Sequence, residues 1–426
     1  MTSSVAAIGS GISGLTAAYA LRSTHRVTLF ESEARFGGHA HTHDVAEGGR
    51  THRVDTGFIV LNDRNYPELQ RLFAELGVKI RPTEMSMSIR CDGCGLEYAG
   101  GRGGKGLFAQ RRRLLDPRYI RMLLSVKRFQ KLALALLDSP EGSEQGAAEG
   151  EVLTYGDFLA QHDFDEYFLR HYALPVVACV WSSSNDDARQ YPARYLFEFL
   201  RHHGFLSIKG SPQWYTVVGG SGTYVDRVTE EIGDVRHSTR ITAVSRKPDH
   251  VLLTDHTGQT HEFDKVVIAT HADDALALLT DPSDDETRTL GAFGYSHNET
   301  VLHHDASLLP EAAQAKSAWN YRMDACAPSG TATPVTYWMN RLQGLTDAPP
   351  FLVTLNGTDR LEPGSVVETM HYTHPLYTPG SVAAQSELPA LNRADTVFAG
   401  AYHGWGFHED GCRSGIAAAR ALGATW

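Results

Sequence analysis

An α/β fold built on a parallel sheet flanked by helices is what this sequence predicts, and three observations predict it. Residues 4–8 (SVAAI) form a short apolar run of the kind that suits a strand buried on both faces. A glycine-rich turn, Gly9-Ser-Gly11-Ile12-Ser13-Gly14, follows at once and opens an alanine-rich, helix-favouring stretch from Leu15 to Leu21. A second strand, Val27 to Phe30, comes next and ends on an acid, Glu31.

Each piece has a physical task. Gly9 permits a tight turn, Gly11 lets the backbone approach a pyrophosphate, and Gly14 lets the helix pack close to the strand. The helix N-terminus, at Ile12 and Ser13, offers free amides and a positive dipole end to phosphates. Glu31 lies 17 residues past Gly14, close to where an acid binds a ribose diol, which favours an unphosphorylated ribose. A glycine motif alone also fits an ordinary turn. Strand, turn, helix, strand and acid in this order predict a dinucleotide site.

The motif continues as Glu31-Ser32-Glu-Ala-Arg35-Phe-Gly37-Gly38-His39-Ala-His-Thr42. With this extension the chain resembles the flavin amine oxidase and phytoene desaturase superfamily. The resemblance implies a Rossmann-type (GR2-like) FAD-binding domain in which the glycine pair turns backbone amides to the pyrophosphate. His39 stands where arginine is commoner. That resembles a bacterial branch of predicted NAD/FAD-binding oxidoreductases linked to cyclopropane or methyl-branched fatty-acid synthesis. Val54-Asp-Thr56-Gly57-Phe58 matches a stretch that runs near the flavin in relatives. His39, His41 and His43 alternate and could share one face of a strand, but the flavin-loop reading explains them better than a metal does.

Further along, Val235 to Val244 and Val251 to Thr254 read as strands, and Lys265-Val-Val-Ile-Ala269-Thr270 reads as a core strand. By resemblance, the stretch around Ile241 touches the adenine end, and the 265–270 strand closes the sheet. Residues 214–224 resemble the family's re-entry into the cofactor domain. Their glycines lack the GxGxxG spacing and read as a structural turn, so bound NAD(P)H is not supported. The C-terminus runs Val397-Phe-Ala-Gly400-Ala401-Tyr402-His403-Gly-Trp405-Gly-Phe-His-Glu409-Asp410-Gly411, then an alanine-rich helix. Relatives use this segment to close over the flavin ring, where a helix dipole stabilises the reduced, anionic ring. They often carry an acid for the ribityl chain where this chain has Ala401; Asp410 or Glu409 would take that place. No cysteine matches the family's attachment position, so the FAD is expected to be non-covalent.

At 426 residues the chain implies two domains. The motifs place 1–81, 214–280 and 386–426 in a discontinuous FAD-binding domain. Residues 82–213 with 281–385 lack the strand–helix alternation and are expected to form an α+β substrate domain. A net charge of −11 argues against nucleic acid as a partner. Five scattered cysteines do not read as a disulfide framework. Residues 5–8 already belong to the first strand, so a signal peptide is not expected, and no apolar run reaches the roughly 18 residues of a membrane span. The expected location is cytoplasmic.

The substrate half holds four further signals. Residues 102–131 carry ten Arg or Lys against one acid, Asp116, a local +9. Tyr119, Met122, Leu123, Val126, Phe129, Ala133 and Leu136 recur there at helical spacing. Such a basic amphipathic helix either packs on a core with a solvated face or lies peripherally on an anionic membrane, here the inner face. Residues 136–152 are polar and glycine-rich and read as a mobile loop. Cys91-Asp-Gly-Cys94 is a single CxxC with no further zinc ligands in view, and Asp-Gly reads as a hairpin turn, so no metal is expected. The runs 174–182, 319–321 and 335–340 are apolar and aromatic, fit to line a pocket or to fill a core.

The resemblance implies hydride removal, from C–N bonds of amines or C–C bonds of apolar chains. Tyr402, His403 and Glu409 are the catalytic candidates, with Trp405 shaping the site. A histidine of near-neutral pKa could also move a proton. The lysine common near flavin N5 in amine oxidases has no matching motif. Three readings stay open: a dehydrogenase or desaturase of an apolar, lipid-like substrate; an amine oxidase; or a flavin isomerase or carrier without net redox turnover. The electron acceptor is open, with O2 among the candidates.

Overall fold

Buried strands come first in the chain and first in the architecture. The computed structural model describes residues 3–139, 152–181, 184–206, 210–327 and 334–426. β1 (Ser4–Ile8), α1 (Ile12–Leu21) and β2 (Arg26–Phe30) follow in the expected order. A short amphipathic helix, α2 (Pro67–Glu75), and three distant strands join them: β3 (Asp234–Arg236), β4 (Lys265–Ile268) and β5 (Thr396–Phe398). The last long helix is α3 (His408–Ala421). The five strands make one parallel sheet in the order β3-β2-β1-β4-β5.

Side chains alternate across this sheet, as strand geometry demands. Val5, Ala7, Leu29, Val267 and Val397 turn to the face covered by α1 and α3. Ala6, Ile8, Phe30, Ile268 and Phe398 turn to the other, where Ile241, Val251 and Leu253 meet them. Both faces are covered, which explains the continuous apolar runs. All ten residues of α1 are buried, so it carries no polar face. Close packing is built from glycine: a Cβ at Gly14 would lie 1.8 Å from the Gly9 carbonyl oxygen, and one at Gly415 in α3 would lie 2.3 Å from the Ser13 carbonyl oxygen.

Residues 235–244 are not one strand but two. Ser238 sits at φ +51°, and the Ser238 and Thr239 amides donate to the carbonyls of Glu33 and Glu31. These bonds pin a turn beneath the acid at the end of β2. The chain then enters a three-stranded antiparallel meander, Ile241–Arg246, Val251–Asp255 and Thr260–Phe263. Residues 214–217 pair with Val60–Asn62 and Ile80–Thr83, and the glycines after them form a turn with Gly219 and Gly220 at positive φ.

A seven-stranded sheet takes its strands from 87–100 and 294–376, with Val366–Leu376 at one edge and Leu96–Gly100 at the other. Helices from 117 to 202 pack together around Phe129, whose ring lies within 6.3 Å of those of Phe158, Phe164, Phe168, Tyr172 and Phe197. The basic helix spans Pro117–Asp138 and buries Tyr119, Met122, Phe129 and Ala133, most of the predicted stripe. It begins with Asp116 accepting from the amides of Arg118 and Tyr119, as an N-cap should. It also takes in residues 136–138, the start of the predicted mobile loop; residues 140–151 lie outside the described residues. The 174–181 run is a helix, not an open lining segment.

The CxxC forms the predicted hairpin turn, joining Met87–Cys91 to Leu96–Gly100. Its surroundings correct the expectation that it lacks further ligand-type partners. Trp319–Met323 runs parallel beside Met87–Cys91, pairing Met323 with Cys91, and brings Cys326 alongside; His171 approaches from the helices. No helix among the described residues is long and apolar enough to cross a membrane.

Candidate functional site

The site grows from the β1–α1 turn. Gly9 takes φ +97°, which suits glycine, and its amide donates to the Phe30 carbonyl. Gly11 is the N-cap of α1 and supplies no side-chain cap, so the first amides of the helix, at Ile12 and Ser13, are left for another acceptor. A Cβ at Gly11 would meet nothing within 4 Å. Glu31 is buried and aimed back at this turn. Its carboxylate accepts from the Ser10 amide (2.9 Å), the Ser10 hydroxyl (2.5 Å) and the Glu33 amide (2.9 Å), with Ser32 Oγ at 3.1 Å. Ser10 was not singled out by the motif, yet it also accepts from the Gly37 amide through both its carbonyl (3.1 Å) and its hydroxyl (3.0 Å).

These bonds carry the glycine pair onto the first turn. A Cβ at Gly38 would lie 3.1 Å from Gly11 Cα. Arg35 reaches the Ala40 carbonyl at 3.5 Å. From β4, the Ala269 amide donates to Ile8, and the Ala269 carbonyl lies 2.9 Å from where a Cβ on Gly9 would be, with the Thr270 amide close behind. Ile241 lies in the core that the meander shares with Ile8 and Phe30. The structure thus brings Gly9, Gly11, Gly14, Glu31, Gly37, Gly38 and Ala269 into one cradle.

A second group forms where 39–43 meets 54–58. The Phe58 amide donates to His39, and the Thr56 amide to His41. A Cβ on Gly57 would be 2.0 Å from the His39 carbonyl oxygen. Thr56 Oγ1 and His41 Nδ1 each lie 2.8 Å from the Tyr372 hydroxyl. The His39 ring sits 5.2 Å from Tyr372, 5.4 Å from His374 and 6.3 Å from His271. Tyr295 stacks on His271 at 4.4 Å. Tyr372, His374, His271 and Tyr295 carried no sequence signal. They arrive on the Val366–Leu376 and Gly294–His303 strands and on the loop after β4. Within the predicted histidine triplet, the rings of His41 and His43 lie 3.9 Å apart and tilted, and His39 and His41 both approach Tyr372.

The C-terminal segment closes the site. The Gly400 amide donates to Ser414 Oγ, and Gly411 packs on Ile12 and Ser13, so the N-termini of α1 and α3 approach one another. Phe58 stacks on His408, the first residue of α3, at 3.7 Å and 9°. The glycine loop is held from outside. Gln385 Nε2 donates to the carbonyls of Tyr402 and Gly404, the Tyr195 hydroxyl donates to Gly404, and Trp181 Nε1 donates to Trp405. Asp410 accepts from the Phe407 amide. Glu409 differs from its predicted place at the flavin. Its two carboxylate oxygens accept from the amides of Glu68 and Leu69, each at 3.0 Å, so it caps α2 and locks α3 in position. Ala401 is half-buried and Tyr402 fully buried. The buried His39 Nε2, Tyr402 hydroxyl, His403 Nε2 and Trp405 Nε1 have no hydrogen-bond partner among the described residues. Two uncapped or lightly capped helix ends, a glycine cradle and orphaned polar atoms fit a dinucleotide with a flat aromatic end.

The sequence pattern of the family described as "Flavin containing amine oxidoreductase" matches residues 12–304, more than half the chain. The flavin-dependent L-tryptophan oxidase of Lentzea aerocolonigenes is 23% identical over 278 residues, 60% of this chain and 54% of the oxidase, so the chain spans about half the length of that relative. Cyclohexylamine oxidase from Brevibacterium oxydans superposes with a TM-score of 0.71 at 17% identity, over 99% of each chain. Wild-type putrescine oxidase bound to putrescine gives 0.68 at 14% identity, over 99% of each. A CLA-producing fatty acid isomerase from P. acnes gives 0.67 at 17%, over 98% of each. At these identities the solved structures share the fold.

Burial governs the charge state of the site. It pushes the imidazole of His39 well down, aided by the neighbouring histidines, and holds His374 and His403 near about 4 and His408 near about 3. It pushes the Tyr402 hydroxyl up. These groups are neutral at pH 7. Elsewhere His41 (about 3), His203 and His303 (about 4) are lowered in the same way. Unfolded, each would bind a proton near about pH 6.5, so the unfolded state gains protons first as pH falls. Their stabilisation is complete above that value and is lost as pH drops towards the folded pKa values. Asp55 and Asp410 (about 6) and Glu409 (about 7) are raised by burial and act in the opposite sense, but the seven histidines outnumber them. Denaturant unfolding should therefore require less denaturant at about pH 5 than at about pH 7.5. His374→Gln should make the fall shallower by up to about 1.4 kcal/mol per pH unit.

Proposed function

The chain belongs to the flavin-containing amine oxidoreductase family, with FAD as its cofactor, and we propose that it removes a hydride from an apolar, lipid-like substrate, in the manner of a dehydrogenase or desaturase. The observation that carries this reading is the neutral wall. His39, His271, His374 and His403 are lowered and Tyr402 is raised, all chiefly by burial, and none offers a counter-charge to an ammonium group. An uncharged substrate loses least on entering such a site.

In this reading the segments 1–81, 214–280 and 386–426 hold the cofactor, and 82–213 with 281–385 shape the substrate space. The amides of Ile12 and Ser13, with Gly9, Gly11, Gly14, Gly37 and Gly38, would hold the pyrophosphate. Glu31, supported by Ser32, would hold the adenosine ribose, with Arg35 nearby on the same loop and Ile241 towards the adenine. His39, Thr56, Gly57, Phe58, Ala269, Thr270, Gly400, Ala401, Asp410 and Gly411 would border the rest of the cofactor. FAD, when bound, supplies a hydride acceptor at N5. The chain's own residues position and seal. Trp405 and Phe407 pack against Tyr195 and Phe199 to exclude water, at ring separations of 5.9 Å and 4.8 Å. His403, with its pKa near about 4, serves at neutral pH as a hydrogen-bonding group rather than as a proton carrier. Glu409 positions α3 and takes no part at the reacting atoms.

The basic region supports access from a membrane surface. Leu114, Leu115 and Leu124 are 53%, 90% and 61% exposed, around Pro117, Ile120 and Arg121. Exposed leucines amid Arg111, Arg112, Arg118 and Arg121 suit an anionic bilayer whose acyl chains would supply the substrate, in keeping with the resemblance to the branch linked to cyclopropane or methyl-branched fatty-acid synthesis. The second reading, an amine oxidase, rests on the tryptophan, cyclohexylamine and putrescine oxidases among the similar proteins.

Anaerobic mixing with candidate substrates separates these readings. Phospholipid or fatty acyl chains are expected to bleach the visible flavin absorption, and cyclohexylamine, putrescine and L-tryptophan to leave it unchanged. Bleaching by the amines alone would replace the proposal with the amine-oxidase reading. Conversion of a fatty acid without net bleaching would point to an isomerase. Flotation with vesicles tests the membrane contact. Binding should require anionic lipid and fall with salt. Leu115→Glu should weaken it about tenfold or more, because a leucine's insertion is worth roughly 1.5–3 kcal/mol.

A further inference from the structure

Outside the cofactor site, three cysteines and a histidine from three parts of the chain face one another. Cys91 ends the strand Met87–Cys91, and Cys94 lies in the turn that follows. Cys326 lies just past Trp319–Met323, the parallel neighbour of that strand. His171 sits in the π-helical turn Leu169–Ala173. Cys91 Sγ and Cys326 Sγ are 3.7 Å apart, and Cys94 Sγ is 3.6 Å from His171 Nε2. All four atoms lie within 4.8 Å of one another.

We propose that Cys91, Cys94, Cys326 and His171 form a closed, tetrahedral site for one Zn2+. Zinc–sulfur bonds of about 2.3 Å and zinc–nitrogen bonds of about 2.0–2.1 Å set tetrahedral edges of about 3.8 Å between sulfurs and about 3.5 Å between sulfur and nitrogen. The 3.7 Å and 3.6 Å separations match those edges. The histidine is prepared as a ligand. Its Nδ1 lies 2.9 Å from the Tyr167 carbonyl and donates to it, which leaves the Nε2 lone pair facing the sulfurs. The Tyr167 ring stacks on the imidazole at 4.1 Å, and the Tyr98 hydroxyl donates to the His171 carbonyl at 2.7 Å. The knuckle itself is tight: the Asp92 amide donates to Met323, and a Cβ on Gly93 would lie 2.8 Å from Ala325 Cα.

Four protein ligands leave no open position, so the ion is structural rather than catalytic. It fastens the 87–100 hairpin and the loop at 326 to the helical segment that continues into Leu174–Trp181. Trp181 in turn holds the Trp405 carbonyl, so the zinc steadies the substrate-side wall from behind. No ligand of the ion belongs to the cofactor cradle.

Elemental analysis of the untagged holoprotein, dialysed against a weak chelator, tests this. One zinc per chain is expected, released by a thiol-reactive mercurial and detected with a colorimetric chelator. Protein produced with cobalt should show tetrahedral ligand-field bands and thiolate-to-metal charge transfer. Cys326→Ser and His171→Gln should lower zinc content several-fold in whatever protein remains folded, and the wild-type zinc and cobalt measurements stand if those variants do not fold. FAD content, read separately, should be unaffected in folded variants. Absence of metal from the wild-type protein, a Cys91–Cys326 disulfide in non-reducing peptide maps, or iron in place of zinc would each overturn the assignment.

Discussion

The turn between β1 and α1 leaves no room for a side chain at residue 14. The Gly9 carbonyl oxygen stands 1.8 Å from where a Cβ would be. That closeness puts the end of α1 against the sheet and aims its first amides out of the Gly9–Gly11 turn. Other contacts inherit the geometry. Gly415 brings α3 against α1 at Ser13, so a second helix N-terminus reaches the same region. Glu31 and Ser10 then tie β2 and the Gly37-Gly38 pair to that turn. Backbone amides and dipole ends thus gather in one place, where they would hold a pyrophosphate.

The wall opposite is built by long-range contacts. The glycine loop 404–406 has little structure of its own, and its carbonyls are held by Gln385, Tyr195 and Trp181. Around it, burial keeps the imidazoles of His39, His374, His403 and His408 and the Tyr402 hydroxyl neutral. A neutral, aromatic enclosure strengthens hydrogen bonds and keeps water out, but it gives no advantage to a charged substrate. The zinc knuckle would lie behind this wall, outside the chemistry, fixing the helices on which it is mounted.

Local physics was legible in the sequence. The strand–turn–helix–strand unit that ends at Glu31 depends on short-range patterns and lies where those patterns put it, and the strand expected at 265–270 runs from 265 to 268. What was not legible depends on contacts across the chain. Tyr372 and His374 reach His39 only because a long strand crosses the molecule. Cys326 meets Cys91 because two strands pair in parallel across 235 residues, which no CxxC spacing can announce. Glu409 sits at the right position in the motif, but the amides of α2 claim its carboxylate first. The expected strand at 235–244 breaks at Ser238 because the Glu31 loop captures its amides.

The most direct measurement is the absorption spectrum of the purified protein, repeated on the supernatant after acid precipitation. A flavin spectrum that passes into the supernatant and is identified as FAD is the expected result, consistent with a cofactor held by backbone amides and Glu31 rather than by a covalent bond. Colour retained in the pellet would contradict the non-covalent site. A colourless protein that does not take up added FAD would contradict the cradle itself.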